Sequence, residues 1–250
     1  MDYTTPRSHE MPDRSDVMGF AATRWTVVMA AARGSDSSRA AEALTELCRT
    51  YWFPLYAFLR RRGVATHEAE DLTQAFFARL LDRDFLANID RQKGKFRSFL
   101  LASLKHFLAD EKDRTSARKR GGGRPAISLD GLDAEARYRL EPAHDLSPEK
   151  MYEKQWAFSV LDRVLSRLQA EWARAGKPKL FELLKATLVG GEALGYEAIA
   201  SQLGTTEGAI KSAAHRLRRR YRALLIDEIS QTVTDPGEVE GEIRYLISCL

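Results

Sequence analysis

The stretch Tyr196-Glu-Ala-Ile-Ala-Ser-Gln-Leu-Gly-Thr-Thr-Glu-Gly-Ala-Ile-Lys-Ser212 decides the fold class. Ile199, Leu203, Ala209, Ile210, Ala213 and Leu217 form one apolar face at helical spacing, interrupted by Gly204. Two helices joined by a tight turn account for this. Ala200 is small enough for a close helix crossing, Gly204 supplies the turn, and Thr205 or Thr206 caps the next helix. The pattern is a helix-turn-helix, a hairpin that also occurs in proteins that never meet DNA. The outward side of the second helix carries Glu207, Lys211, Ser212, His215, Arg216, Arg218 and Arg219. These groups can reach phosphates and base edges in a major groove. The bland alternative is a solvated helix surface.

Upstream, helical periodicity continues and strand alternation is scarce. Trp156, Val160, Leu161, Val164, Leu165, Leu168 and Trp172 mark a long helix that Gly176 and Pro178 stop, and a further helix runs from Leu180 to Leu188. Before these, Gly121-Gly-Gly-Arg-Pro125 and the acidic stretch to Pro148 read as a linker. Residues 39–61, 67–82 and the run from Phe96 to Leu108 give three more helices, with a kink or break expected at Pro54. The expected organisation is therefore all-α, with two helical domains joined by a flexible linker. It divides into a disordered leader (1–19), a first domain (20–120), a linker (121–150), a helix-turn-helix domain (151–226) and a C-terminal extension (227–250).

The 250 residues carry 39 Lys plus Arg against 35 Asp plus Glu, a net charge of +4, and 44% are hydrophobic. That is an ordinary composition for a chain with its own core. No run approaches the roughly 18 apolar residues of a membrane span, and Met1 to Asp16 is acidic and polar, so neither a span nor a secretory signal is expected. Cys48 and Cys249 lie far apart and match no CxxC or metal-ligand spacing. This excludes a disulfide scaffold and a zinc finger, and a reducing cytoplasm is the expected compartment.

Charge distribution says more than net charge. Between Arg91 and Arg124 there are eleven basic residues and only three acidic ones, Asp110, Glu111 and Asp113. A second basic block runs from Lys211 to Arg222, while acid gathers at 130–149 and 227–242. Two separated basic blocks suit two contacts with a polyanion, or two solvated helix faces.

Two segments in order carry a family resemblance. The first is Glu68-Ala-Glu-Asp-Leu-Thr-Gln-Ala-Phe-Phe77 followed by Lys95-Phe-Arg-Ser-Phe-Leu-Leu-Ala-Ser-Leu-Lys-His-Phe-Leu-Ala-Asp110; the second is Tyr196 to Tyr221. Together they resemble a bacterial RNA polymerase sigma factor of the extracytoplasmic-function (ECF) class, over most of residues 39–226. The resemblance implies a dissociable specificity subunit with no catalytic centre, cofactor or metal. Glu70, Asp71 and Gln74 would dock the clamp of the polymerase's largest subunit, and the second domain would rest on the flap of the second-largest. Asn88, Arg91, Lys93, Lys95, Arg97, Lys105, His106 and Lys112 would serve the minus-10 promoter element, where basic groups hold a melted strand. Thr206, Glu207, Lys211, Ser212, His215, Arg216, Arg218 and Arg219 would serve the minus-35 element. Phe96 and Phe99 fit core positions better than base-stacking ones on helical phase. An anti-sigma factor or a kinase is a conceivable further partner in this class.

Two rival readings stay open at this point. One is a stand-alone helix-turn-helix regulator whose N-terminal domain senses a signal or dimerises. The other is a nucleic-acid-processing enzyme using Glu68, Glu70 and Asp71 with Mg²⁺, for which no phosphate loop or metal-ligand spacing is present. The extension beyond Ile226 exceeds a minimal sigma factor. Val239, Ile243, Leu246 and Ile247 fit a short amphipathic helix. It is expected to pack on the second domain; the sharper alternative is an autoinhibitory or partner-binding tail that covers the recognition helix.

Overall fold

A computed structural model describes residues 37–80, 95–117, 131–140, 146–189 and 194–250. These are helical almost throughout, as an all-α fold requires. In chain order the helices are α1 (Ser37–Arg61), α2 (Thr66–Leu80), α3 (Phe96–Ala117), α4 (Gly131–Leu140), α5 (Pro148–Arg174), α6 (Pro178–Leu184), α7 (Ala186–Val189), α8 (Tyr196–Leu203), α9 (Glu207–Ser230) and α10 (Val239–Ser248). The one β-type pairing among the described residues is an isolated antiparallel bridge between Lys95 and Val233. The expected leader, the start of the first domain and much of the expected linker lie outside the described residues.

The first core is built around the second half of α1. Tyr51, Trp52, Phe53, Leu55, Tyr56, Phe58 and Leu59 are all buried, so this stretch is apolar on every side and covered on every side. α1 runs through Pro54 without the break expected there. A proline inside a helix forgoes one backbone hydrogen bond and costs about 3 kcal/mol. Burial of a large apolar side chain contributes about 1.5–3 kcal/mol, and seven of them surround this proline. Packing therefore outweighs the local penalty.

α2 adds Phe76, Phe77 and Leu80 to this core, and α3 adds Phe96, Phe99, Leu100, Leu104 and Phe107. Phe96 meets Tyr51 edge-on at 5.0 Å between ring centroids, and Phe76 lies 5.7 Å from Phe107. Phe96 and Phe99 are thus core residues, as their helical phase indicates. Within the expected linker, α4 is an ordered helix docked on α1. Ala134 is buried, Glu135 accepts hydrogen bonds from Arg60 and Tyr56, and the Arg137 guanidinium sits 4.2 Å from the centre of the Phe53 ring.

α5 belongs to both cores. Ser147 caps it by accepting from the Lys150 N–H, with Pro148 in the first turn, where a missing donor costs nothing. Tyr152, Trp156, Ala157 and Val160 pack with α1, whereas Val164 and Leu168 pack with α6, α8 and α9. The boundary placed at 150/151 therefore falls inside one helix, and the two apolar clusters part between Val160 and Val164. Trp156 is fully buried and donates its indole N–H to the Tyr51 hydroxyl at 3.0 Å. Gly176, with φ 72°, follows the end of α5 in the left-handed conformation that favours glycine.

α10 forms the expected amphipathic helix, but in a different place. Leu246 is buried, Val239, Ile243 and Tyr245 join the first core, and Ile247 is exposed. The helix rests on α5 and on the last turns of α9, and it does not cover the basic face of α9. Arg163 and Arg167 on α5 pair with the buried Glu228 at 2.9 and 3.1 Å, and Arg167 also pairs with Asp227. These ion pairs hold the end of α9 against α5, which positions α10. Among the described residues no helix is long and apolar enough to cross a membrane.

Trp156→Ala should lower unfolding free energy by about 3–5 kcal/mol, since it leaves both a cavity and an unpaired buried Tyr51 hydroxyl. Urea unfolding followed by circular dichroism measures this; a loss below about 1 kcal/mol would mean α5 does not share the α1 core.

Candidate nucleic-acid interface

The α8–α9 pair is built by local chemistry. Gly204 closes α8 at φ 63°, ψ 39°, and the Thr205 N–H bonds back to the Ala200 carbonyl at 3.0 Å. Such a left-handed helix end strongly favours glycine. Thr206 then caps α9, its hydroxyl accepting from the Ala209 N–H at 3.2 Å. Ile199 and Ala200 on α8 and Ile210, Ala213, Ala214 and Leu217 on α9 are buried against Val164, Leu168, Phe181 and Leu184. Thr205 is exposed and plays no capping part.

With that face inward, the opposite side of α9 presents Glu207, Lys211, Ser212, His215, Arg216, Arg218 and Arg219, every one exposed. Lys211 pairs with Glu207 one turn away at 2.8 Å, and this contact holds its pKa above the ordinary lysine value. Arg218 donates to the Tyr196 hydroxyl at 3.2 Å, across the turn. These are exposed, salt-screened contacts that a polyanion can replace. Arg220 differs, since a two-bond fork to Glu171 at 2.6 and 2.7 Å ties it to α5. The basic block therefore divides by phase into residues that brace the fold and residues that face solvent.

The first basic block is in a different state. Lys105, His106 and Lys112 are exposed on α3, and Lys105 pairs with Glu149 at 2.7 Å, which draws the Glu149 pKa below the usual carboxylate range. Arg97, expected on an open DNA-facing surface, is instead buried beneath α10. Its guanidinium lies 3.9 Å from the Tyr245 ring centre and 5.2 Å from that of Trp156. It donates to Glu242 and pairs with Glu153 at 3.7 Å. Burial works against the charge, but the Glu242 hydrogen bond and charge outweigh it, so the Arg97 pKa is raised. Lys95 pairs with the same Glu242 at 2.9 Å. Asn88, Arg91 and Lys93 lie outside the described residues.

On α2, Asp71 is exposed and Glu70 and Gln74 are partly exposed, while Ala69, Thr73 and Phe76 turn inward. An acidic and amide patch thus sits on the side of α2 away from the core. His67 approaches Glu70 at 3.9 Å. Glu68, Glu70 and Asp71 do not converge with a further ligand, and among the described residues no group of three or more His, Cys, Asp or Glu could hold a metal ion.

Four glutamates escaped the sequence-based assignment of roles: Glu135, Glu149, Glu153 and Glu242. Each meets a basic residue distant in sequence. For Glu149 and Glu242 the available signal was the separation of basic 91–124 from acidic 130–149 and 227–242; for Glu135, which meets Arg60, and for Glu153, outside both acidic stretches, no such signal existed.

The chain is similar to known proteins. It is 29% identical over 187 residues to the ECF RNA polymerase sigma factor SigE of Mycolicibacterium smegmatis, covering 75% of this chain and 63% of that protein. The chain thus spans less than two thirds of its relative's length. No family model matches the chain, and no solved structure does. The resemblance to an ECF sigma factor read from Glu68–Asp110 and Tyr196–Tyr221 is borne out by this relative.

The Arg60–Glu135 contact, which docks α4 on α1, gives the fold a measurable acid limit. The Arg60 guanidinium holds the Glu135 carboxyl down to about 2, well below the usual carboxylate range, with help from Tyr56 and Arg139. A carboxylate depressed in the folded state contributes its stabilisation above the unfolded pKa and loses it as pH falls through the folded one. The wild-type chain should therefore lose stability between about pH 4.5 and about pH 2 in excess of Glu135→Gln. Urea midpoints measured down this range test it, and parallel pH profiles for the two proteins would contradict it.

Proposed function

We propose that the chain is a sigma factor of the ECF class acting in the cytoplasm. It binds core RNA polymerase, directs it to minus-35/minus-10 promoters and assists melting of the minus-10 region. The observation that carries this reading is the α8–α9 pair, whose buried face fixes the turn and whose exposed face offers Lys211, Ser212, His215 and Arg216 in one helical stripe. The sigma-factor relative supports the same assignment.

In the proposed mechanism α9 enters the major groove at the minus-35 element with its N-terminal half. Lys211, Ser212, His215 and Arg216 are the groups nearest the bases, and Arg218 and Arg219 bind phosphate. The Thr206 cap leaves backbone N–H groups of the first turn directed at the DNA, where the helix dipole favours an anion. Glu207 orients Lys211 before DNA arrives. The open patch of Glu70, Asp71 and Gln74 on α2 docks the polymerase clamp, and the second domain rests on the flap.

At the minus-10 element the exposed Lys105, His106 and Lys112 meet the backbone, and Lys95 and Arg97 join them once uncovered. A base extruded from the stack costs a few kcal/mol, which contacts from the 88–95 segment would offset in part.

Two experiments test this. In a pull-down with purified core RNA polymerase, Asp71→Ala with Gln74→Ala should weaken capture of an otherwise folded chain. Wild-type chain that captures no polymerase would leave a stand-alone DNA-binding regulator as the better account. On duplex DNA, Arg216→Ala should cost about 1–3 kcal/mol of discrimination between the preferred minus-35 sequence and a scrambled one if Arg216 reads a base. Equal weakening on both sequences would assign it to phosphate instead.

A further inference from the structure

The seam between α3 and α10 places a carboxylate where the proposed function needs a phosphate. Glu242 is 1% exposed, yet it carries two cationic partners, Lys95 at 2.9 Å and the Arg97 guanidinium. Both cations come from the segment assigned to the minus-10 strand. The backbone reinforces the same seam, for the Phe96 N–H bonds to the Thr232 carbonyl at 3.0 Å and Lys95 bridges to Val233. The Arg97 guanidinium sits over the Tyr245 ring, 3.9 Å from its centre, a place that a base could also take. Beside them, a cavity of about 260 Å³ lined by Arg97, Ser98, Leu101, Lys105, Tyr152 and Glu153 runs along α3. Lys105, at the other end of that groove, is met by Glu149. The groove's cations thus meet acids remote in sequence, and Lys95 and Arg97 share a buried one, whereas Lys211 on α9 meets only the exposed Glu207 of its own helix.

We propose that α10 is an intramolecular competitor for single-stranded nucleic acid, with the Glu242 carboxylate in the place of a phosphate and the Tyr245 ring in the place of a base. This rests on the sigma-factor reading for the identity of the displaced ligand. Docked, α10 sets the Glu242 carboxylate against both Lys95 and Arg97; undocked, it takes that carboxylate away and leaves Arg97 with Glu153 of α5. The chain then binds the minus-35 element with α9 in either state and engages the minus-10 strand only after α10 leaves. The partner for which this surface is built is a melted DNA strand, and α10 is its gate.

The direct test uses the wild-type full-length chain and a fluorescent single-stranded oligonucleotide of about ten nucleotides, within the usual site size for one such groove. Hydrogen exchange at the amides of 239–248 should accelerate at saturating oligonucleotide, because strand and helix exclude each other. Unchanged or slower exchange there with the strand bound overturns the proposal. Glu242→Gln and Leu246→Ala should each tighten oligonucleotide binding, by about tenfold if the undocked state is about a tenth populated. Each should also steepen the salt dependence by about 0.7 per cation released, about 1.4 for both. Removing Lys95 in the Glu242→Gln background (Lys95→Gln) should reverse part of that gain. If both variants stay helical by circular dichroism yet bind no tighter, α10 is only a brace. If no form of the chain binds the strand the proposal also falls, and a positive polymerase pull-down would leave the sigma-factor reading standing.

Discussion

Glu242, 1% exposed in a helical core, is met by two cations, Lys95 and Arg97. Leaving such a charge unpaired costs about 3–5 kcal/mol, so the placement of α10 depends on the start of α3. Around that pair the rest of the seam falls into place. Tyr245 covers Arg97, Tyr152 donates to the Arg97 carbonyl at 2.9 Å, and Trp156 links α5 to Tyr51 of α1. Chain segments some 145 positions apart are thereby held in one core.

The same electrostatic rule recurs on a larger scale. Glu228 repeats the arrangement at the other end of the C-terminal segment, paired with Arg163 and Arg167. Glu135 answers Arg60 and Glu149 answers Lys105. Each of these carboxylates, Glu242 included, meets a base far from it in sequence, and three of those bases, Lys95, Arg97 and Lys105, belong to the set proposed for the minus-10 element. On the basic stripe of α9 the contacts are local and exposed instead, Lys211 with Glu207 of its own helix and Arg218 with Tyr196 across the turn. The two proposed DNA-contacting surfaces therefore stand in different states within one molecule.

What was legible in the sequence was what is local. The α8–α9 turn could be read because Gly204 and Thr206 act within a few residues, and the buried faces of α3 and α9 follow from helical phase. The burial of Phe96 and Phe99 needed nothing more. Pro54 misled because local chemistry predicts a break, whereas the surrounding aromatic packing is a tertiary effect. The destination of α10 was illegible for a related reason. Val239, Ile243 and Leu246 announce an apolar stripe without naming the surface that receives it. Arg97 shows the limit most clearly, since its basic character placed it on a DNA-facing surface and only the fold brings Glu242, Glu153 and Tyr245 onto it. The helix α4 inside the expected linker depended likewise on a long-range partner, the Arg60–Glu135 pair.

The role proposed for this chain is to give RNA polymerase its promoter choice. The most direct measurement is transcription in vitro from a library of genomic fragments by purified core polymerase, with and without the chain, mapping the 5′ ends of the transcripts. The account predicts new start sites that appear only with the chain and share a bipartite element upstream, its distal half lost when Arg216 is replaced. Identical start sites with and without the chain, despite its binding to duplex DNA, would contradict the account.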